Sequence, residues 1–98
     1  MTTHEDNRRI LEAYPEGKLI IAKTDCTVGQ HYHNVKTEKF VALEGDIWIH
    51  RTGYATSLML IGNIYEVLPN VKHSFNMKEG SVMIGLCSHP YDHNDDYK

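Results

Sequence analysis

The chain has little of what marks several protein classes. Its two cysteines, Cys26 and Cys87, make neither a zinc-ribbon spacing nor a disulfide framework, so both read as small buried apolar groups in a reduced, cytoplasmic protein. No apolar stretch approaches the roughly 20 residues that a membrane helix needs. The polar start, Met1 to Arg9, has no apolar run behind it, so neither a membrane span nor a secretory leader is expected. Ten basic residues against thirteen acidic ones give a formal charge of −3, and the basic residues are not clustered. That balance argues against a nucleic-acid partner and describes an ordinary soluble protein.

A chain of 98 residues buries about 60–65% of its extended surface, enough for one core and one domain spanning 1–98. Residues 5–14 could wind into a short helical turn that Pro15 and Gly17 stop, which makes 1–17 an N-terminal arm. From Lys18 onward, apolar and β-branched residues come in short runs: Leu19–Lys23, near Val28–His33, Lys39–Leu43, Asp46–Arg51, Thr56–Ile61, Tyr65–Leu68, His73–Asn76 and Ser81–Cys87. Such runs predict about eight antiparallel strands over 18–87, in a barrel or two-sheet jelly roll that limits exposed edges. Gly45, Gly53, Gly62 and Gly80 sit in the separators, where tight turns call for positive φ, and they predict hairpins between consecutive strands. The remainder, 88–98, is a polar, acidic tail with Pro90, Asp92, Asp95 and Asp96.

Histidine is abundant, with seven at positions 4, 31, 33, 50, 73, 89 and 93. On a strand His31 and His33 project from one face while Tyr32 points away. Glu38 has the wrong parity for the same straight strand and must arrive from across a bend or from the next strand, which the polar linker Asn34–Thr37 permits. On that next strand Glu38, Phe40 and Ala42 share a face, with Lys39, Val41 and Leu43 on the other.

The stretch His31-Tyr32-His33-Asn34-Val35-Lys36-Thr37-Glu38 through Gly45 resembles the first motif of the cupin superfamily, in its two histidines, glutamate and closing glycine. Gly62 through Asn76 resembles the second motif, its Val67–Asn76 part in Pro69, His73 and Asn76, with Val71 in the place of a glycine and His73 one residue early. The resemblance implies a small single-domain, jelly-roll β-barrel. It also implies that His31, His33, Glu38 and His73 hold one divalent transition metal (Mn, Fe, Co, Ni or Zn) and leave coordination positions open for substrate.

Phe40 and Phe75 share parity with Glu38 and His73 and are expected either to wall a substrate pocket or to pack in the core. Trp48, Tyr54 and Tyr65 could stack on a sugar ring. His50, on the parity of Trp48, is a candidate for an acid/base role, and His89 and His93 lie in the solvated tail. What the resemblance implies of function is a metal-dependent isomerase, epimerase or lyase acting on a small oxygen-rich, carbohydrate-derived substrate. The alternatives are an Fe(II)-dependent dioxygenase and a non-catalytic small-molecule binder. Cupins commonly pair their barrels, so a homodimer is expected.

Overall fold

Alternation along the strands decides which side chains meet. In Glu38–Glu44 the buried positions are Glu38, Phe40 and Ala42, and the intervening Lys39 and Val41 face outward. The same period appears in Ile47–Arg51, where Ile47 and Ile49 are buried, and in His73–Met77, where His73, Phe75 and Met77 are. Two sheets with one apolar face each must bury those faces against one another, which gives a sandwich.

The computed structural model describes residues 1–89 and Tyr97. Its strands are β1 (Thr2–Glu5), β2 (Arg9–Tyr14), β3 (Gly17–Ala22), β4 (Cys26–His31), β5 (Glu38–Glu44), β6 (Ile47–Arg51), β7 (Ser57–Leu58), β8 (Ile64–Val67), β9 (His73–Met77) and β10 (Val82–Cys87). They form a six-stranded sheet in the order β1-β2-β3-β10-β5-β8 and a four-stranded sheet in the order β4-β9-β6-β7, with every pairing antiparallel. The core lies between them, where the Phe40 and Phe75 rings from opposite sheets meet at 4.5 Å among Ile20, Val28, Ile49 and Met83. Each large apolar side chain buried there contributes about 1.5–3 kcal/mol. No helix of the described residues is long and apolar enough to cross a membrane.

Two sequence expectations are corrected. The helical turn over 5–14 is absent, and the first two strands extend the larger sheet. The Asp6 carboxylate accepts the backbone N–H groups of Arg8 and Arg9 at 2.8 and 3.0 Å, which closes a turn and competes with helix formation. The following segment then pairs along its whole length with β3, and Leu11 packs against the core.

Hairpins between consecutive strands also fail at three of the four glycine turns. Gly45, Gly53, Gly62 and Gly80 all have positive φ. Only the Gly53 turn joins paired strands, β6 and β7, while the other three carry the chain from one sheet to the other. Positive φ makes the chain turn tightly without fixing which sheet receives the next strand. Burial of both inner faces decides that.

In the tail, Tyr97 pairs with Tyr32 through reciprocal backbone hydrogen bonds of 2.8 and 2.9 Å, and their rings stack at 5.1 Å. His89, near its start, is exposed and contacts Ser88 Oγ at 2.8 Å. His93, Pro90, Asp92, Asp95 and Asp96 lie outside the described residues.

Gly45 combines two constraints. Its φ is +75°, and a Cβ there would stand 2.7 Å from Ser81 Cβ and 2.8 Å from Ser81 Cα. Gly62, at φ +83°, has open space around it. Gly45→Ala is therefore expected to lower unfolding free energy by about 2–4 kcal/mol, from left-handed strain plus overpacking, against about 1–2 kcal/mol for Gly62→Ala. Urea denaturation midpoints of the two variants check the difference.

Candidate metal centre

The site is assembled from both sheets. His31 ends β4, His33 follows it by two residues, Glu38 opens β5 in the facing sheet, and His73 opens β9. Their four candidate ligand atoms all lie within 4.8 Å of one another. Donors around a single metal at bonds near 2.1 Å stand at most about 4.2 Å apart, so small side-chain shifts suffice to close the set. His33, Glu38 and His73 are 4%, 2% and 3% exposed, and His31 is half-buried.

A slip in β4 brings the histidines into line. Val28 pairs with Phe75, yet His31 pairs with His73, so two residues on β4 oppose one on β9. Gly29, at φ +76°, lies inside this bulge. Without the extra residue Gln30 would stand opposite His73, and His31 would face away, because a one-residue slip reverses every side chain beyond it. Tyr32 does face away, toward Tyr97.

The loop before His73 is fixed from the same end. Asn70 takes φ +68°, and its N–H donates to the His33 carbonyl at 2.5 Å. The His73 imidazole lies with Nδ1 at 3.0 Å from the Val71 carbonyl, a contact that puts a proton on Nδ1 and turns Nε2 inward toward Glu38.

Electrostatics at Glu38 follow from these contacts. Oε1 stands 3.2 Å from His33 Nε2 and 3.3 Å from His73 Nε2, and Oε2 stands 3.6 Å from Lys18 Nζ. Burial would raise the Glu38 pKa, but the facing His73 imidazole and the charges of Lys18 and Lys36 outweigh it and hold the carboxyl well below the usual carboxylate range. Glu38 Oε1 and His73 Nε2 are shut from solvent and neither has a hydrogen bond among the described residues. A carboxylate oxygen and an imidazole nitrogen buried side by side without a hydrogen bond fit a cation between them, and the N3O donor set suits a divalent transition metal.

The cluster sits in the wall of a cavity of about 620 Å³ between the sheets. That volume is within the range of small-molecule sites.

No protein-family model matches the chain, and no curated protein matches it significantly. Solved structures do. The capsular polysaccharide assembling protein CapF of Staphylococcus aureus superposes with a TM-score of 0.78 at 19% identity, over 98% of this chain and 31% of CapF. Oxalate decarboxylase OxdC of Bacillus subtilis, as its E162A mutant, gives 0.80 at 10% identity over 99% of this chain and 30% of that one. An RmlC-like cupin from Shewanella frigidimarina gives 0.74 at 14% identity, over 95% of this chain and 86% of that one. The fold is that of the cupins. The chain spans about a third of the length of CapF.

Within this cupin fold the sequence-predicted residues separate by face. His31, Glu38, His73, Phe40 and Phe75 line the cavity, and His33 completes the cluster behind them. Trp48 and His50 lie on the outer face of β6, since Ile47 and Ile49 take the inner positions. Trp48 borders a shallow hollow with Asp25 and Asn76, and His50 Nδ1 contacts Thr56 Oγ1 at 2.9 Å. Tyr54 is exposed and stacks under the Arg51 guanidinium at 4.4 Å. Tyr65 packs against the core outside the cavity, and its hydroxyl accepts the Leu60 N–H at 2.7 Å.

Lys18, Lys36 and Arg9, which the sequence reading passed over, also line the cavity. Lys18 had a legible signal, because it shares strand parity with the buried Ile20 and Ala22. The Gly29 bulge and the Val71 carbonyl had none, since both depend on pairing between distant segments.

Gly29→Ala and Gly53→Ala impose similar backbone strain, because both glycines have positive φ and neither has a close neighbour within 3.4 Å. Each is expected to lower stability by about 1–2 kcal/mol. Only Gly29→Ala is expected also to weaken Co(II) binding, by about tenfold or more, as His31 loses register with His73. Calorimetric titration of both variants with Co(II) checks this.

Proposed function

We propose that this chain is a metal-dependent enzyme acting on a small, oxygen-rich, carbohydrate-derived substrate, by isomerase, epimerase or lyase chemistry. The observation that carries the reading is the juxtaposition of three imidazoles and one carboxylate with a cavity large enough for a monosaccharide. A closed structural site would surround its metal with protein, whereas this cluster faces open space on one side, as catalytic sites do. The names of the similar structures support the reading: one assembles a capsular polysaccharide and another decarboxylates oxalate.

A divalent metal, when bound, supplies Lewis-acid polarisation of a substrate hydroxyl or carbonyl, which acidifies the neighbouring C–H or O–H. His31, His33, Glu38 and His73 would hold it. The Val71 carbonyl keeps His73 in the tautomer that presents Nε2. Phe40 and Phe75 form a dry wall beside the cluster, which lowers the local dielectric and strengthens every charge interaction inside.

Protein purified without added metal and then reconstituted with Co(II) is expected to retain about one ion per chain. His73→Ala and Glu38→Gln are each expected to weaken Co(II) binding by roughly a hundredfold or more, since removing even an outer-shell partner costs 10–100-fold. Metal content comes from elemental analysis, and turnover from a panel of sugars and sugar acids with and without chelator. Unchanged metal content in both variants sinks the ligand assignment. Oxygen uptake with Fe(II) selects a dioxygenase instead, and a loaded metal without turnover across the panel selects a binding protein.

A further inference from the structure

Lys18 reaches the cavity from an inner position of β3, in phase with the buried Ile20 and Ala22. Its ammonium is 3.6 Å from Glu38 Oε2 and 5.6 Å from the centre of the Phe40 ring, and its side chain is 23% exposed. The Glu38 distance is too long for the charge-assisted hydrogen bond of a mature ion pair, which closes to about 2.7–2.9 Å. Lys18 Nζ makes no hydrogen bond among the described residues. A half-buried ammonium carries three donors, and here they face the cavity.

Gly85 stands opposite Lys18 on β10, and a Cβ there would fall 2.8 Å from the Phe40 ring and 3.5 Å from Lys18 Cε. Arg9 and Lys18 line the cavity, Arg8 at the rim is engaged with Asp6 at 3.5 Å, and Glu38 is the one carboxylate in the wall among the described residues. If the cluster takes a divalent cation, Glu38 serves that cation and Lys18 is left in surplus. A surplus fixed cation in a partly desolvated cavity selects for an anion.

We propose that Lys18 is a specificity-determining residue that receives an oxyanion of the substrate, carboxylate or phosphate, beside the His31, His33, Glu38 and His73 cluster. This narrows the substrate class from oxygen-rich compounds to acidic ones, sugar acids or sugar phosphates, and it rests on the metal-centre reading above. Neutral sugars of the same size fill the cavity but leave the ammonium unmatched, so they bind more weakly.

Three open-chain probes distinguish the possibilities: gluconate, glucitol 6-phosphate and neutral glucitol. Titration calorimetry on the Co(II)-loaded and on the metal-free chain is run for the wild type, Lys18→Met and Lys18→Arg. At least one anion is expected to bind the wild type about tenfold or more tighter than glucitol, equivalent to about 1.4 kcal/mol. The better of the two anions identifies the oxyanion. In Lys18→Met the preference is expected to fall to within about twofold while cobalt content and the strand circular dichroism stay unchanged, and Lys18→Arg is expected to restore most of it.

Equal binding of all three probes, no binding of either anion, or a preference that survives in Lys18→Met would overturn the assignment. Failure of the wild type to retain cobalt counts against the metal centre instead. In that event an anion preference of the metal-free wild type that Lys18→Met loses still upholds the role of Lys18.

Discussion

Glu38 is a carboxylate buried between two sheets, and the surrounding structure is organised by the need to keep it charged there. An isolated buried carboxylate would take up a proton, because burial penalises the anion by several kcal/mol. The His73 imidazole, the Lys18 ammonium and the Lys36 charge oppose that penalty, and they come from β9, β3 and the β4–β5 linker. Elements that share no local sequence thus converge on one oxygen pair. The cost of burying that charge is offset only if the sandwich closes with these segments at one end of its core.

The apolar core provides the closure. Phe40 and Phe75 touch across the sheets next to His73, at ring distances of 6.0 Å from that imidazole, so the hydrophobic contact and the polar cluster share a boundary. Packing of the two rings sets the separation of the sheets, and that separation sets whether Glu38 and His73 meet. A buried carboxylate oxygen and imidazole nitrogen held together without a hydrogen bond are characteristic of a site built for a cation. Stability and site geometry are therefore coupled through a few residues rather than distributed over the barrel.

Much of this was legible in the sequence. The alternation of Glu38, Phe40 and Ala42 against Lys39, Val41 and Leu43 fixed the inner face of β5, and the HxH pattern with a polar linker brought a glutamate back from the next strand. The second motif, with Val71 in a glycine place and His73 one residue early, gave a weaker signal. The structure accommodates the displaced histidine through Asn70 in a left-handed conformation tied to the His33 carbonyl. The helical-turn reading of residues 5–14 failed because pairing of Arg9–Tyr14 with β3 outweighed local preference.

By itself the sequence determined the all-β class, the strand segments from Lys18 onward and the turns that need glycine, because each follows from residue type at short range, while the four-residue cluster was implied by the resemblance of its two motifs. Tertiary structure alone decided which sheet each strand joins, that a bulge at Gly29 turns His31 inward, that Trp48 and His50 face outward, and that Lys18 stands beside Glu38. Those outcomes depend on pairing between segments up to about seventy residues apart, and a one-residue change of register reverses them. Local spacing carries no record of that register, and burial of the shared core selects it.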